Sequence, residues 1–195
     1  MRAPLLFVPA VMLALGTTAC TSSPVPPPPR LSPSPSAGQW AHLSLNRGDL
    51  SFDYPAQWRA HHYTQSSSFS DLLVYLSNQQ LHAPCNGGGP SCGWPVARLA
   101  PGGVLISWSA DGMPGWTIDK AQGSPRTVGG RPAKLVEQRP GLCKAIGGDK
   151  SISVVIAGRT TDNFYGLDAC FRGPGEPTAV RWVQRMLTST RIKGP

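Results

Sequence analysis

The sequence lacks the strings that usually announce catalysis or nucleotide binding. There is no H-E-x-x-H, no G-x-x-x-x-G-K-[ST] and no complete G-x-G-x-x-G. A zincin helix, a P-loop and a dinucleotide fold are therefore not indicated, and no serine is read at a strand-to-helix nucleophile elbow. Gly87-Gly88-Gly89 is glycine-rich, but neither a Lys-Ser/Thr pair nor a helix start follows it. Acidic residues are few and scattered, 10 against 18 basic, so spacing reveals no carboxylate pair for glycosidic chemistry. Internal repeats are absent, and the basic residues form no run of the kind that binds nucleic acid. The apolar run Leu5 to Leu15 has 11 residues, where a bilayer-spanning helix needs about 20. These absences point away from an enzyme, a cofactor and a resident metal.

What is present begins with an export signal. Met1-Arg2-Ala3-Pro4 is a short basic start, Leu5 to Leu15 is the apolar segment, and Gly16-Thr17-Thr18-Ala19 supplies small residues before Cys20. This is the pattern of a cleaved secretory leader over residues 1–19. Small residues directly before a cysteine resemble the lipobox of bacterial lipoproteins. That resemblance implies that Cys20 becomes the first residue and carries diacylglycerol and a palmitate-type acyl chain, which anchors the chain at the cell membrane on its extracellular side. Thr17 stands where lipoboxes usually carry leucine, so plain cleavage after Ala19 is the alternative. Multiple acyl chains hold far more firmly than one, at ~0.8 kcal/mol per buried CH₂.

Residues 20–38 read as a tether. From Thr21 to Gly38 the chain is almost wholly Ser, Pro, Thr, Ala and Gly, with Pro26-Pro27-Pro28-Pro29 inside it. Such a stretch cannot bury enough apolar surface to offset its ordering entropy. Proline biases it to an extended course of ~3.1 Å per residue, a reach of some ~50 Å. Residues 39–195 remain, enough for one domain that buries about 70% of its unfolded surface around one core.

Four cysteines fall in that domain, and export favours two disulfides. Cys85 and Cys92 flank a turn-rich span that closes easily, which leaves Cys143 with Cys170. A zinc site from His82, Cys85 and Cys92 is the alternative, but it lacks a fourth ligand at metal-binding spacing. Alternation of apolar and polar residues predicts strands at Leu50 to Tyr54, Leu72 to Leu76, Val104 to Trp108, Ala133 to Val136, Ile152 to Ile156 and Phe164 to Phe171. Turn signals at Asp111-Gly112, Gly129-Gly130, Gly147-Gly148 and Gly173-Pro174-Gly175 separate them. A helix is predicted from Pro177 to Ser189, with a stripe of Val180, Val183 and Leu187 beside Ala179 and Met186. The expected class is α+β with a largely antiparallel sheet.

Three phrases together resemble PsbP-like domains. Phe52-Asp53-Tyr54-Pro55-Ala56-Gln57-Trp58 is similar to the family's opening F-x-Y-P-x-x-W phrase. Gly129-Gly130-Arg131-Pro132-Ala133 is similar to its central G-G-x-P-A turn, and Val180 to Thr190 running into Arg191-Ile192 to its closing helix and last strand. With the leader and tether, the whole looks most like an actinobacterial surface lipoprotein of this fold group. The resemblance implies an α/β/α sandwich, an antiparallel sheet with helices packed on its faces, used as an accessory or assembly module that binds partners. It implies no site residues.

Charge and tryptophan suggest contacts. The whole chain is +8, and loss of Arg2 with the leader leaves 17 basic residues against 10 acidic, a net +7. Outside a membrane the nearby anions are phospholipid headgroups and wall polymers. Trp108 lies in a predicted strand and reads as core. Trp94 and Trp116 lie in turn-rich sequence, where they either cap the core or offer a platform for a sugar ring or a protein partner. The leading expectation is a non-catalytic binding or assembly module with an extracytoplasmic protein partner. The alternatives are a cell-wall glycan binder using Trp94, Trp116 and Arg98, or an unrecognised hydrolase.

Overall fold

A computed structural model describes residues 38–45, 49–63, 65–66, 69–84, 94–139 and 141–193. Cys20, Cys85 and Cys92 lie outside them, and so do the leader, most of the tether and the Gly87-Gly88-Gly89 run. The strands in chain order are β1 (Trp40–Leu45), β2 (Leu50–Pro55), β3 (Arg59–His61), β4 (Gln65–Ser66), β5 (Ser70–Ser77), β6 (Val104–Gly112), β7 (Ser124–Val128), β8 (Arg131–Glu137), β9 (Lys150–Ala157) and β10 (Asn163–Phe171). Helix α1 (Glu176–Ser189) and the short strand β11 (Arg191–Ile192) end the domain. All pairings are antiparallel: a small sheet in the order β1-β2-β11 and a large one in the order β3-β5-β6-β10-β9-β8-β7, with β4 also on β5.

Each of the predicted strands forms, and local chemistry explains the departures. Asp111 and Gly112, read as a turn, are the last residues of β6, held opposite Phe164 and Asn163 of β10; the chain turns at Met113–Trp116 instead, where Trp116 N–H donates to Met113 O at 3.0 Å. A register shift between Leu72 and Val74 breaks the alternation of β5, so Leu73 and Val74 are both buried, as a bulge requires. Gly129 and Gly130 turn β7 into β8 with φ of +58° and +78°, the left-handed pair that suits a two-residue hairpin. β7 was not legible as a strand because Pro125 interrupts it; as the outermost strand of its sheet it tolerates the missing N–H.

The helix starts one residue earlier than Pro177, and its buried face is Ala179, Val183, Met186 and Leu187. Val180 is only half-buried. No glycine ends it. The hydroxyls of Ser189 and Thr190 both donate to the Met186 carbonyl, at 2.9 and 2.8 Å, which satisfies a last-turn acceptor that a glycine cap would otherwise serve.

The expectation of helices on the sheet faces is overturned. Among the described residues α1 is the one α-helix, so the domain is mainly antiparallel β and not an α/β/α sandwich. The small sheet and α1 together cover one face of the large sheet, where Phe52 stacks on Trp108 with ring centroids 5.0 Å apart. The connections that helices would have to occupy carry helix breakers: Pro84, Pro95 and Pro101 between β5 and β6, Pro114 and Gly115 after β6, and Gly141 and Gly147 between β8 and β9. They form loops and two 3₁₀ turns, Ile118–Lys120 and Lys144–Ile146. Of the two disulfides expected, Cys143–Cys170 is formed, with Cα atoms 5.5 Å apart; the Cys85–Cys92 pairing and the zinc alternative fall on residues outside those described. The second face of the large sheet carries a smaller apolar cluster at one end, where Leu81, Val96, Leu99 and Ile146 pack round the disulfide and Leu105. Beyond it that face mixes polar side chains with the half-buried Leu72, Val155 and Phe164.

Candidate functional site

Residues directly opposite in an antiparallel pair share a face, so the ladder registers lay out the polar face row by row. Nearest the disulfide cluster, one row reads His61, Tyr75, Ser107, Asp168 and Ser153 across β3, β5, β6, β10 and β9. The next reads Leu72, Ser109, Gly166, Val155 and Lys134. The last places Asp111 beside Phe164 and Ala157. At a strand spacing of ~4.8 Å the first row is about 19 Å wide.

Side chains tie this surface together. Ser153 Oγ donates to Asp168 Oδ1, and Arg139 adds an ion pair to the same oxygen at 3.6 Å and a hydrogen bond to Ser153 Oγ at 3.3 Å. Both charged groups reach water, Asp168 at 33% and Arg139 at 55% side-chain exposure, so the pair contributes little to stability but keeps its carboxylate within reach of a ligand. Ser109 Oγ donates to Asp111 Oδ2 at 2.6 Å. Gly166 makes room for that bond: a Cβ there would lie 2.6 Å from Ser109 Oγ and 3.3 Å from Asp111 Oδ2.

Aromatic rings flank the row. Tyr63 packs edge-on to Tyr75 at 5.9 Å and is stacked by His61 at 5.8 Å. Burial raises the Tyr75 phenol above its usual value, and the neighbouring Tyr63 and Asp168 charges raise it further; burial also raises Tyr63. Both phenols therefore remain O–H donors near neutral pH. The fold favours the protonated Tyr75, so its contribution to stability is complete below the unfolded phenol's pKa of about 10 and is lost as pH rises through the higher folded value. Denaturant titrations from about pH 8 to about pH 11 should show stability falling from about pH 10, with a shallower fall in Tyr75→Phe. An unchanged slope in that variant would contradict the assignment.

The predicted contact residues do not meet. Trp116 stacks on Phe164 at 4.4 Å, whereas Trp94 packs against the cluster round the disulfide, as Tyr75 and Leu142 each do. Phe164 and Cys170 are six residues apart on β10, about 20 Å, so the two tryptophans sit at opposite ends of one face. Arg98 is exposed and lies over Gly147 at the disulfide end.

A Ser/His/Asp row that sequence reading passed over lies on the small sheet. His42 Nδ1 and Asp53 Oδ1 are 2.8 Å apart, and His42 Nε2 is 3.4 Å from Ser44 Oγ. The spacing i, i+2 on β1 with a partner on β2 could have signalled it. His42 and Asp53 are 58% and 39% exposed, so water competes for every bond and no low-dielectric site strengthens the relay. A second pattern, Gly89-Pro90-Ser91-Cys92-Gly93, has the G-x-S-x-G spacing of a nucleophile elbow, which sequence reading missed; it lies outside the described residues. The polar face was legible only as Ser107, Ser109 and Asp111 alternating along β6, a signal that the tryptophans overshadowed. Among the described residues no three His, Cys, Asp or Glu side chains are grouped to hold a metal ion, and no helix is long and apolar enough to cross a membrane. No protein-family model and no curated protein sequence matches the chain.

Proposed function

We propose that this is a non-catalytic binding module, exported and lipid-anchored through Cys20 at the outer face of the membrane, that holds cell-wall glycan on the polar face of its large sheet. The observation that carries the reading is the Tyr63, Tyr75, Ser107, Asp168, Ser153 and Arg139 row. Phenol rings offer flat apolar faces to a sugar ring, and their hydroxyls, Ser107, the carboxylate and the guanidinium match sugar hydroxyls as donors and acceptors, while the buried Ser153 holds Asp168 in place. Hydrolysis fits less well. Asp111 and Asp168 lie four residues apart in register, about 13 Å along the strands, beyond the roughly 5–9.5 Å that glycosidic carboxylate pairs span.

A protein partner is the second reading, favoured by Phe69 and Met113, which are 63% and 55% exposed. The two lie at the Phe164 end, where Gly112 N–H donates to Phe69 O at 2.7 Å.

Retention on isolated wall polysaccharide should fall about tenfold in Asp168→Asn and in Tyr75→Phe with Arg139→Ala, the scale of losing one charge-assisted hydrogen bond. Unchanged retention sinks the glycan reading, and loss of a specific protein crosslink in Phe69→Ser with Met113→Ser supports the second. Hydrolysis of p-nitrophenyl acetate should be the same in His42→Ala and Ser44→Ala as in the parent protein; a rate that falls in both would make this an enzyme.

A further inference from the structure

A pocket of about 220 Å³ opens at the disulfide end of the domain, lined by Gln138, Arg139, Gly141, Cys143, Lys144, Gly148, Asp149, Lys150 and Ser151. Three cations, Arg139, Lys144 and Lys150, face it with one carboxylate. That carboxylate is engaged: Asp149 Oδ2 accepts from Gly173 N–H at 2.8 Å. Lys150 Nζ is held by Glu176 at 2.6 Å and Arg139 by Asp168 at 3.6 Å. Lys144 makes no ion pair among the described residues. Gly141 in the lining sits at φ +76°, a backbone conformation that other residues rarely adopt.

The position of this pocket in the chain is as informative as its charge. β1 begins where the tether ends, with Trp40 opposite Pro55 and Ala56 N–H donating to Gln39 O at 3.0 Å. Three residues later β3 opens at Arg59, in the row that runs through Ser77, Leu105 and Cys170 to Ser151. The tether therefore joins the domain at the same end as the pocket.

We infer that this pocket is a second binding site and takes the phosphate of a phosphodiester, from a lipid headgroup or a wall polymer. Phosphodiesters carry one negative charge and accept hydrogen bonds from several donors, which a cluster of lysine and arginine supplies. The charged lining residues Arg139, Lys144 and Lys150 are exposed, so binding is weak and falls with salt. Arg139 belongs to both sites, but Lys144 and Lys150 take no part in that row, so the inference stands whether or not the polar face binds glycan.

The test uses the mature chain from Cys20 with Cys20→Ser, so that no acyl chain holds it to lipid. Binding is measured to phosphatidylcholine vesicles with and without phosphatidylglycerol, and to glycerophosphoglycerol, the same phosphodiester without acyl chains. Lys144→Glu should weaken binding to phosphatidylglycerol vesicles about tenfold, while the charge-matched Arg126→Glu on β7 changes it less than about twofold. Pocket-dependent binding of glycerophosphoglycerol as well identifies the diester alone as sufficient; pocket-dependent binding of vesicles only makes the lipid surface the source. Equal losses in the two variants, or no preference for phosphatidylglycerol, overturn the site.

Discussion

Replacing both Cys143 and Cys170 with alanine is expected to destabilise the domain by about 3–4 kcal/mol, which lowers its Tm by about 10 °C. The bridge spans a sequence separation of 27, and in the chain-entropy picture a loop of that size removes about 3.6 kcal/mol of freedom from the unfolded chain. Packing adds to this. Cys143 and Cys170 are 4% and 1% exposed and sit among Leu99, Leu105 and Ile146. No strand holds the Gly141–Gly148 segment, which is tied down by local turns, by the disulfide and by a few bonds such as Leu99 N–H to Ile146 O at 2.9 Å. Its loss should therefore act locally before it acts globally: Lys144 loses its position, and binding of phosphatidylglycerol vesicles weakens while the large sheet persists. Thermal unfolding followed by circular dichroism checks the first part. A Tm change under about 3 °C, worth roughly 1 kcal/mol for a domain of this size, would mean that packing alone fixes the loop.

Much of the sheet was legible because its strands obey the two-residue period on a half-buried surface. Leu50 to Tyr54 reads correctly for that reason; Ile152 to Ile156 also forms a strand, though four of its five residues are buried. What failed was non-local. The resemblance to a family with helices on both faces assigned layers that Pro- and Gly-rich connections cannot build, and no local pattern says that β1, β2 and β11 form a separate sheet. That depends on Ile192 pairing with Leu50, residues far apart in the chain. The candidate site was hidden for a related reason. Asp168 and Ser107 become neighbours only through the β6–β10 register, and Arg139 reaches Asp168 from just beyond the end of β8. Tryptophans stand out in a sequence, but here Trp108 is core, and Trp94 and Trp116 are half-buried at opposite ends of the face. Serines in alternation do not stand out, although Ser107 and Ser109 line the second face of the large sheet beside Asp168 and Asp111.

Phe52→Ala is expected to be the most damaging single substitution in the core, at about 3–5 kcal/mol. Phe52 is fully buried on the small sheet and stacks, with an interplanar angle of 18°, on Trp108 of the large one. It joins the two sheets, so its removal leaves a cavity that neither sheet can fill without moving as a unit, and it loses a ring contact worth about 0.5–1.5 kcal/mol beyond its area. Trp108→Phe provides the contrast. The indole Nε1 is buried without a hydrogen-bond partner among the described residues, a defect of about 1–3 kcal/mol. Phenylalanine relieves it while leaving a smaller void, so the two effects oppose and the net loss should stay under about 2 kcal/mol. Urea titrations that give equal slopes and well-separated midpoints for the two variants would bear this out. Similar midpoints would mean that the stack does not join the sheets, and that the helix contacts of Val183 and Met186 hold the small sheet instead. Because Phe52 lies on the face opposite Asp168 and Tyr75, the milder Phe52→Leu should lose stability while keeping glycan retention, which separates what holds the sheets together from what binds on the open side.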